Sequence, residues 1–307
     1  NYPTAGIAKD VFIVGTTAYV ADSTAGLYIV NIGIPTAPAT LGGPFVTAGP
    51  ATGVAVRGNY AYVAAAGTLD GQIDAGLGLV IVDINNPLSP LRKGIYDAPG
   101  AGCRVHVQGT TAYLYDGDLQ IIDVSDPENP TETGFIKDGA GATELDGAYG
   151  VYVSGNYAYV ASKSDKSLSI FDVSNPASPT EVGTIVDGAG ATQLDGARSV
   201  FVVGNYAYVV SKSDKSLSIF DVSNPASPTE VGTIVDGAGA TELAGAYGSY
   251  VSGNYAYVAA KDDDSLSIID ISNPASPTEV GTIANGAGAT ALGEAHGIFV
   301  SGNYAYV

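Results

Sequence analysis

The chain is predicted to fold as an all-β propeller, and three observations point there. The phrase Ala-Tyr-Val recurs with its tyrosine at Tyr159, Tyr208, Tyr257 and Tyr306, each 49 residues after the last, with looser copies at Tyr19, Tyr62 and Tyr113. A period in the forties built from short strand-like runs is the mark of a β-propeller with one four-stranded blade per repeat. Within each repeat, β-prone runs alternate with Gly-, Asn- and Pro-rich turns. No stretch carries the 3.6-residue apolar period of a helix.

The copy that begins at Gly150 shows why each strand forms. Val151-Tyr152-Val153 is a β-prone run, Ser154-Gly155-Asn156 supplies a tight turn, and Tyr157 to Ala161 returns as the second strand. Gly and Asn tolerate the positive φ that such a hairpin needs. After the polar connection Ser162 to Lys166, Leu168-Ser-Ile-Phe-Asp-Val173 is the third strand, with Leu168 and Ile170 on one face at period two. Ser174-Asn-Pro-Ala-Ser-Pro179 must turn, because its prolines lack a ladder donor. Thr180 to Ile185 is the outer strand, and a long connection from Val186 to Ala197 leads into the next copy. Leu145, Leu194, Leu243 and Leu292 recur in these connections and are expected to pin them to the body.

The third strand carries a family resemblance. Leu79-Val80-Ile81-Val82-Asp83 spells the pentapeptide of the LVIVD-repeat β-propellers, with variants at Leu119 to Asp123, Leu168 to Asp172, Leu217 to Asp221 and Leu266 to Asp270. Together with the Gly-Asn-Tyr-Ala-Tyr-Val and Asn-Pro-Ala-Ser-Pro phrases, the chain resembles that family over essentially its whole length. The resemblance implies the propeller fold and a place among secreted or surface-displayed bacterial and archaeal proteins, mostly without assigned activity. The first copy departs from the pattern, since Leu27 to Asn31 ends in Asn and Gly33-Ile-Pro35 replaces Ser-Asn-Pro, so a looser outer turn is expected there.

The repeats run over 8–50, 51–101, 102–147, 148–196, 197–245, 246–294 and, in part, 295–307, read as one propeller domain spanning 1–307. Six units hold all four strands and the seventh holds two, which favours seven blades with the last incomplete; six blades with a protruding hairpin is the alternative. An exposed hairpin edge invites aggregation, which weighs against that alternative.

Only 12 Lys and Arg face 31 Asp and Glu, a formal charge of −19, which disfavours nucleic-acid binding because phosphate backbones are repelled. No apolar run is long enough to span a membrane, so direct insertion of this segment is not expected. The single Cys103 forms no intrachain disulfide and does not report the compartment. Without an initiator Met, and stopping in mid-repeat, the chain reads as a piece of a larger multidomain chain or assembly.

Residues common to every copy are most simply structural. Asp83, Asp123, Asp172, Asp221 and Asp270 each precede a turn whose backbone N–H groups a carboxylate can hold. The repeated tyrosines are expected to fill space between blades. Gly139-Ala-Gly141-Ala-Thr143 opens no helix and is rejected as a phosphate loop. Function is therefore sought where the copies differ. Asp262-Asp263-Asp264 replaces the Ser-Asp-Lys of the sister copies, and an inserted loop, Gly67 to Gly78, carries Asp70 and Asp74. Either is a candidate Ca²⁺ site, with Glu242 and Glu294 as further oxygen donors beside the triple Asp. The residue entering each innermost strand reads Lys9, Thr52, Cys103, Tyr149, Arg198, Tyr247 and His296. Drift at an unconstrained position accounts for that variation on one reading. On the other, Lys9, Arg198 and His296 with Tyr149 and Tyr247 line one mouth of the propeller channel and hold a small anion or carboxylated sugar, with Asp146 and Asp195 nearby to relieve repulsion.

The leading functional expectation is a non-catalytic interaction, adhesion or scaffold module at the prokaryotic cell surface or outside it, with other surface proteins or glycans as partners. The alternative is a propeller hydrolase or lyase working at the channel mouth. The chain offers just two histidines for that chemistry, and His106 aligns with the packing residue Tyr152.

Overall fold

The computed structural model describes residues 2–42, 44–47, 49–66, 77–98, 104–115, 117–289 and 292–307. Among these there is no helix, and every regular element is a β-strand. The fold is a β-propeller built from four-stranded antiparallel blades in strictly sequential strand order. Two compact units divide the chain, Asn1–Phe135 and Ile136–Val307.

The first unit holds blades one and two and blade three as far as Phe135, within its outer strand Thr131–Asp138. Blade two is typical, with Ala51–Arg57 innermost, then Tyr60–Ala65, Leu77–Asp83 and Leu91–Asp97. Blade one has the same order but a two-residue outer strand, Ala39–Thr40. The apolar core lies between successive blades: Tyr19, Leu27 and Ile29 of blade one pack against Val63, Val80 and Val82 of blade two. Tyr62, Leu79 and Ile81 in turn meet Leu114 and Ile122 of blade three.

The second unit holds blades four to six and the hairpin of blade seven. Blade four runs Ala148–Ser154, Tyr157–Ser162, Ser167–Asp172 and Thr180–Asp187, and blades five and six repeat it 49 residues on. Its first hairpin closes on Gly155-Asn156, with Ser154 paired to Tyr157 and Gly155 at φ 59°, a backbone state that glycine reaches without strain. Blade seven contributes Phe299–Ser301 and Tyr304–Tyr306, a two-stranded sheet. Six blades of four strands and a partial seventh are thus present among the described residues.

The expected packing roles hold. Tyr159 and Tyr208 are buried between blades, and burial pushes their phenols upward. Asp172 Oδ1 accepts the Ser174 N–H at 2.9 Å, and Asp83, Asp123, Asp221 and Asp270 make the same bond at 2.8–2.9 Å. The looser first turn does not appear at this bond, because Asn31 Oδ1 accepts the Gly33 N–H at 2.8 Å just as the carboxylates do.

The long connections are pinned by their leucines, as expected, and gain backbone pairing that the sequence does not show. Each adds a short parallel strand, such as Gly190–Ala191 beside Thr180–Asp187. Leu145, Leu194 and Leu243 are fully buried beneath them, while Leu292 is only half-buried. Carboxylates hold them by their backbone: Asp165 Oδ2 accepts the Asp146 N–H at 2.6 Å, and Asp138 Oδ1 accepts the Leu145 N–H at 3.0 Å. Burial raises the Asp165 carboxyl above the usual range, and the charges of Asp138 and Asp146 push it further. An acid with a raised folded-state pKa carries its penalty above that pKa and sheds it as the pH falls. Asp165→Asn keeps an acceptor oxygen for the N–H while deleting the charge. It should raise the melting temperature at pH 7, and the gain should fade as the pH falls below the ordinary aspartate value of about 3.9, to vanish at about pH 2–3, where wild-type Asp165 is protonated in both states. Thermal melts of both proteins across that range are the check; a gain independent of pH would refute the electrostatic account.

Candidate functional site

The site is built by one device repeated from blade to blade. In the innermost strands the register slips between Ala148 and Gly150, between Ala197 and Ser199, and between Ala246 and Gly248. The skipped residue is Tyr149, Arg198 or Tyr247, so each varying position is the extra residue of a β-bulge, which bends the strand and re-aims that side chain. His296 follows Tyr247 by the same 49-residue step, just before Phe299–Ser301. Glycine lets the strands approach: a Cβ on Gly150 would lie 2.7 Å from the Arg198 carbonyl oxygen, and one on Gly248 2.2 Å from that of His296.

The four residues meet. The Arg198 guanidinium carbon stands 4.6 Å from the Tyr149 ring centroid and 5.0 Å from that of Tyr247. The two rings meet edge to face with centroids 5.4 Å apart, and their hydroxyls hydrogen-bond to each other. His296 packs edge-on against Tyr247 with centroids 4.3 Å apart, and both are buried. Each ring face offers Arg198 about 0.5–2 kcal/mol of cation–π attraction, depending on desolvation. Arg198 Nε is buried and makes no hydrogen bond, and among the described residues no carboxylate lies within ion-pair distance of Arg198. Asp195, expected to relieve the positive charge, takes Lys166 Nζ at 2.7 Å instead. Three residues further along the same strands runs a row of rings, Tyr152, Phe201, Tyr250 and Phe299, with centroids 4.7–4.8 Å apart. Between the two tiers, the Ser199 and Ser249 hydroxyls bond at 3.0 Å.

Lys9 belongs to the first unit. It occupies the same kind of bulge, between Ala8 and Asp10, and is half-buried. Its neighbour makes a contact that the sequence reading missed: Asp10 Oδ1 pairs with Arg104 Nη1 at 2.7 Å, and Asp10 Oδ2 accepts the Val54 N–H at 3.1 Å. The signal was available, since the position after the varying one is Gly53, Gly150, Gly248 and Gly297 in four copies but carries opposite charges at Asp10 and Arg104. His106, on Arg104–Gln108, is held neutral, its imidazole pushed down to about 4 by desolvation.

The acidic loop does not converge. Asp262 faces Lys212 Nζ at 3.5 Å, Asp263 Oδ2 accepts the Ala244 N–H at 2.6 Å, and Asp264 Oδ1 accepts the Glu294 N–H at 2.8 Å. Each carboxylate serves a different partner, and among the described residues no three acidic, His or Cys groups come together to hold a metal ion. Asp70, Asp74 and Cys103 lie outside the described residues. No helix of the described residues is long and apolar enough to cross a membrane.

The model of the LVIVD repeat matches seven stretches, 5–43, 48–98, 99–138, 147–187, 196–236, 248–285 and 292–307. No curated protein sequence matches the chain. Solved structures similar in fold include the periplasmic gluconolactonase PpgL of Pseudomonas aeruginosa, at 13% identity and TM-score 0.73, covering 91% of this chain and 86% of that one. A protein from Lactobacillus plantarum matches at 15% identity and TM-score 0.70, covering 86% and 79%. BamB from Moraxella catarrhalis matches at 14% identity and TM-score 0.59, covering 99% and 81%. At these identities the likeness shows the fold alone.

Proposed function

Because the chain belongs to the LVIVD-repeat family, built on a fold that serves many unrelated activities, we propose that it is a non-catalytic binding module of the prokaryotic cell surface or secreted space, and that Tyr149, Arg198, Tyr247 and His296 take a small carboxylate-bearing ligand such as an acidic sugar. The observation that carries this reading is Arg198: a half-buried guanidinium, seated on two tyrosine rings, with no carboxylate partner among the described residues of a chain of net charge −19. An acidic protein has carboxylates to spare for its cations, so one left without a partner keeps its planar donor fork available for an incoming carboxylate. Surface proteins or glycans bearing such groups are the partners this site suits.

Calorimetric titration with glucuronate, with glucose as the uncharged control, tests the reading. Glucuronate should bind and glucose should not. Arg198→Ala should weaken glucuronate binding by about tenfold or more, the loss of about one charge-assisted bond. Arg198→Lys should recover little, because an ammonium lacks the planar fork. An unchanged affinity in Arg198→Ala would overturn the assignment. A hydrolase or lyase is the competing reading, and the fold is shared with a gluconolactonase; gluconolactone hydrolysis should not rise above the buffer rate when the chain is added.

A further inference from the structure

The connection leaving blade six differs from its sisters at two positions whose backbones are hydrogen-bonded to each other. Where the outer strands of blades three, four and five end in Asp138-Gly139, Asp187-Gly188 and Asp236-Gly237, that of blade six ends in Asn285-Gly286, the one Asn-Gly step in the chain. All four side chains hold the connection in the same way. The Oδ1 of Asp138, Asp187, Asp236 and Asn285 accepts the N–H of Leu145, Leu194, Leu243 and Leu292 at 3.0–3.4 Å. The second difference lies beside the first. The N–H groups of Asp187, Asp236 and Asn285 donate to the carbonyls of Lys166, Lys215 and Asp264, each at 2.9 Å. In blade five the two side chains form an ion pair, Lys215 Nζ to Asp236 Oδ2 at 3.6 Å. In blade six Asp264 replaces the cation and neutral Asn285 replaces the anion, so like charges do not meet.

An Asn-Gly step is chemically labile, because glycine has no Cβ to hinder the approach of its nitrogen to the asparagine side chain. The Gly286 backbone nitrogen bonds to Asn285 Cγ, the Cγ–Nδ2 bond breaks, and the proton given up by the backbone N–H leaves with the side-chain nitrogen as ammonia. Water then opens the cyclic imide. Opening at Cγ gives aspartate, and opening at the main-chain carbonyl carbon gives isoaspartate, whose main chain is longer by one carbon. The fold restrains the first step. Gly286 sits at φ 77° and donates its N–H to the Ala289 carbonyl at 2.7 Å, so the nitrogen is engaged until that turn opens. Asn285 is exposed, as Asp138 is at the same place in blade three, so water reaches it.

We propose that Asn285 is a self-modifying site, converting to aspartate and isoaspartate without an enzyme, and that its new carboxylate stands against Asp264. Aspartate gives blade six the residue of its sisters without their cation, so like charges meet where blade five has an ion pair. Isoaspartate shifts the main chain where Asn285 pairs with Ala289 of the short strand Gly288–Ala289. Either product loosens the connection that leads to His296.

Incubation of the intact chain in mildly alkaline buffer, followed by tryptic mapping with mass spectrometry, is the test. The peptide Asp262 to Val307 should gain the mass of an acid-for-amide exchange at Asn285, with aspartate and isoaspartate forms separated by chromatography. Asn273 in the same peptide should keep its amide, because Pro274 has no N–H to give up. A free peptide copying Thr278 to Leu292 should convert about tenfold faster or more, since its glycine nitrogen is released without an opening step. Asn285→Asp should lower the melting temperature of the wild-type chain but not that of the Asp264→Lys variant, in which the ion pair of blade five is rebuilt. The proposal is overturned if Asn285 keeps its amide over an incubation about a hundred times the half-life of the free peptide. It is also overturned if Asn285→Asp costs the same in both backgrounds.

Discussion

Phe220→Ala should be among the most damaging side-chain truncations in the second unit, lowering stability by about 3–5 kcal/mol. Phe220 is fully buried and packs between blades four and five against Leu168, Ile170 and Leu194, each also fully buried. Removing its ring withdraws apolar area from a contact surface that has no water to refill it, and the strands on either side are held in register by their ladders, so the cavity stays open. In a domain of this size the loss corresponds to a fall in melting temperature of roughly 10 °C. Denaturant titration should show a lower midpoint with an unchanged slope. Phe220→Leu should cost markedly less, since it restores most of the volume. A loss below about 1 kcal/mol for Phe220→Ala would mean that the interface between blades four and five contributes little to the fold.

Gly232→Ala and Gly281→Ala should behave as opposites although their local sequences are the same. The first would place a Cβ 2.2 Å from the Pro274 carbonyl oxygen, so the turn of blade six must move away, at a cost of about 2–3 kcal/mol or more. The second places its Cβ in open space. There Ala should be neutral or slightly stabilising, because it restricts the unfolded chain more than glycine does and favours the strand. Melting curves of the two variants beside wild type decide it. Equal losses would show that glycine is needed at this position for backbone conformation and not for the approach of the next blade.

The hairpins, the third strands and the aspartate turns were legible because their causes are local. A Gly-Asn pair closes a turn, alternating Leu and Ile face one side, and an aspartate reaches the N–H two residues on. The third strand was only half read: Leu217 and Ile219 face blade six while Phe220 faces blade four, since a blade is covered on both sides. The pinning of the long connections by their leucines was legible, but the bonds that hold their backbone were not. Contacts such as Thr192 with Glu230 at 2.8 Å and Leu194 N–H with Asp187 at 3.2 Å carry that order, and the first of these crosses between blades. Four of the five residues read from the varying position converge: a recurring bulge re-aims Tyr149, Arg198 and Tyr247, and His296 packs against Tyr247. The triple aspartate does not, because each carboxylate is taken by a different nearby donor.

By itself, the sequence determined the repeat, the strand order within a blade and the position at which blades differ, all of which follow from period, turn chemistry and alternation along the chain. The tertiary structure alone decided which of those positions meet. Gly232 and Gly281 are the same word in sequence, and only the neighbouring blade makes one a seat and leaves the other bare. Arg198 is one cation among 12, and only the bulges of three adjacent strands place it on two tyrosine rings, with no described carboxylate within ion-pair distance. The physical reason is one of range. Backbone propensity acts over a few residues, whereas burial, charge pairing and close approach act across space between residues 49 or more apart in the chain.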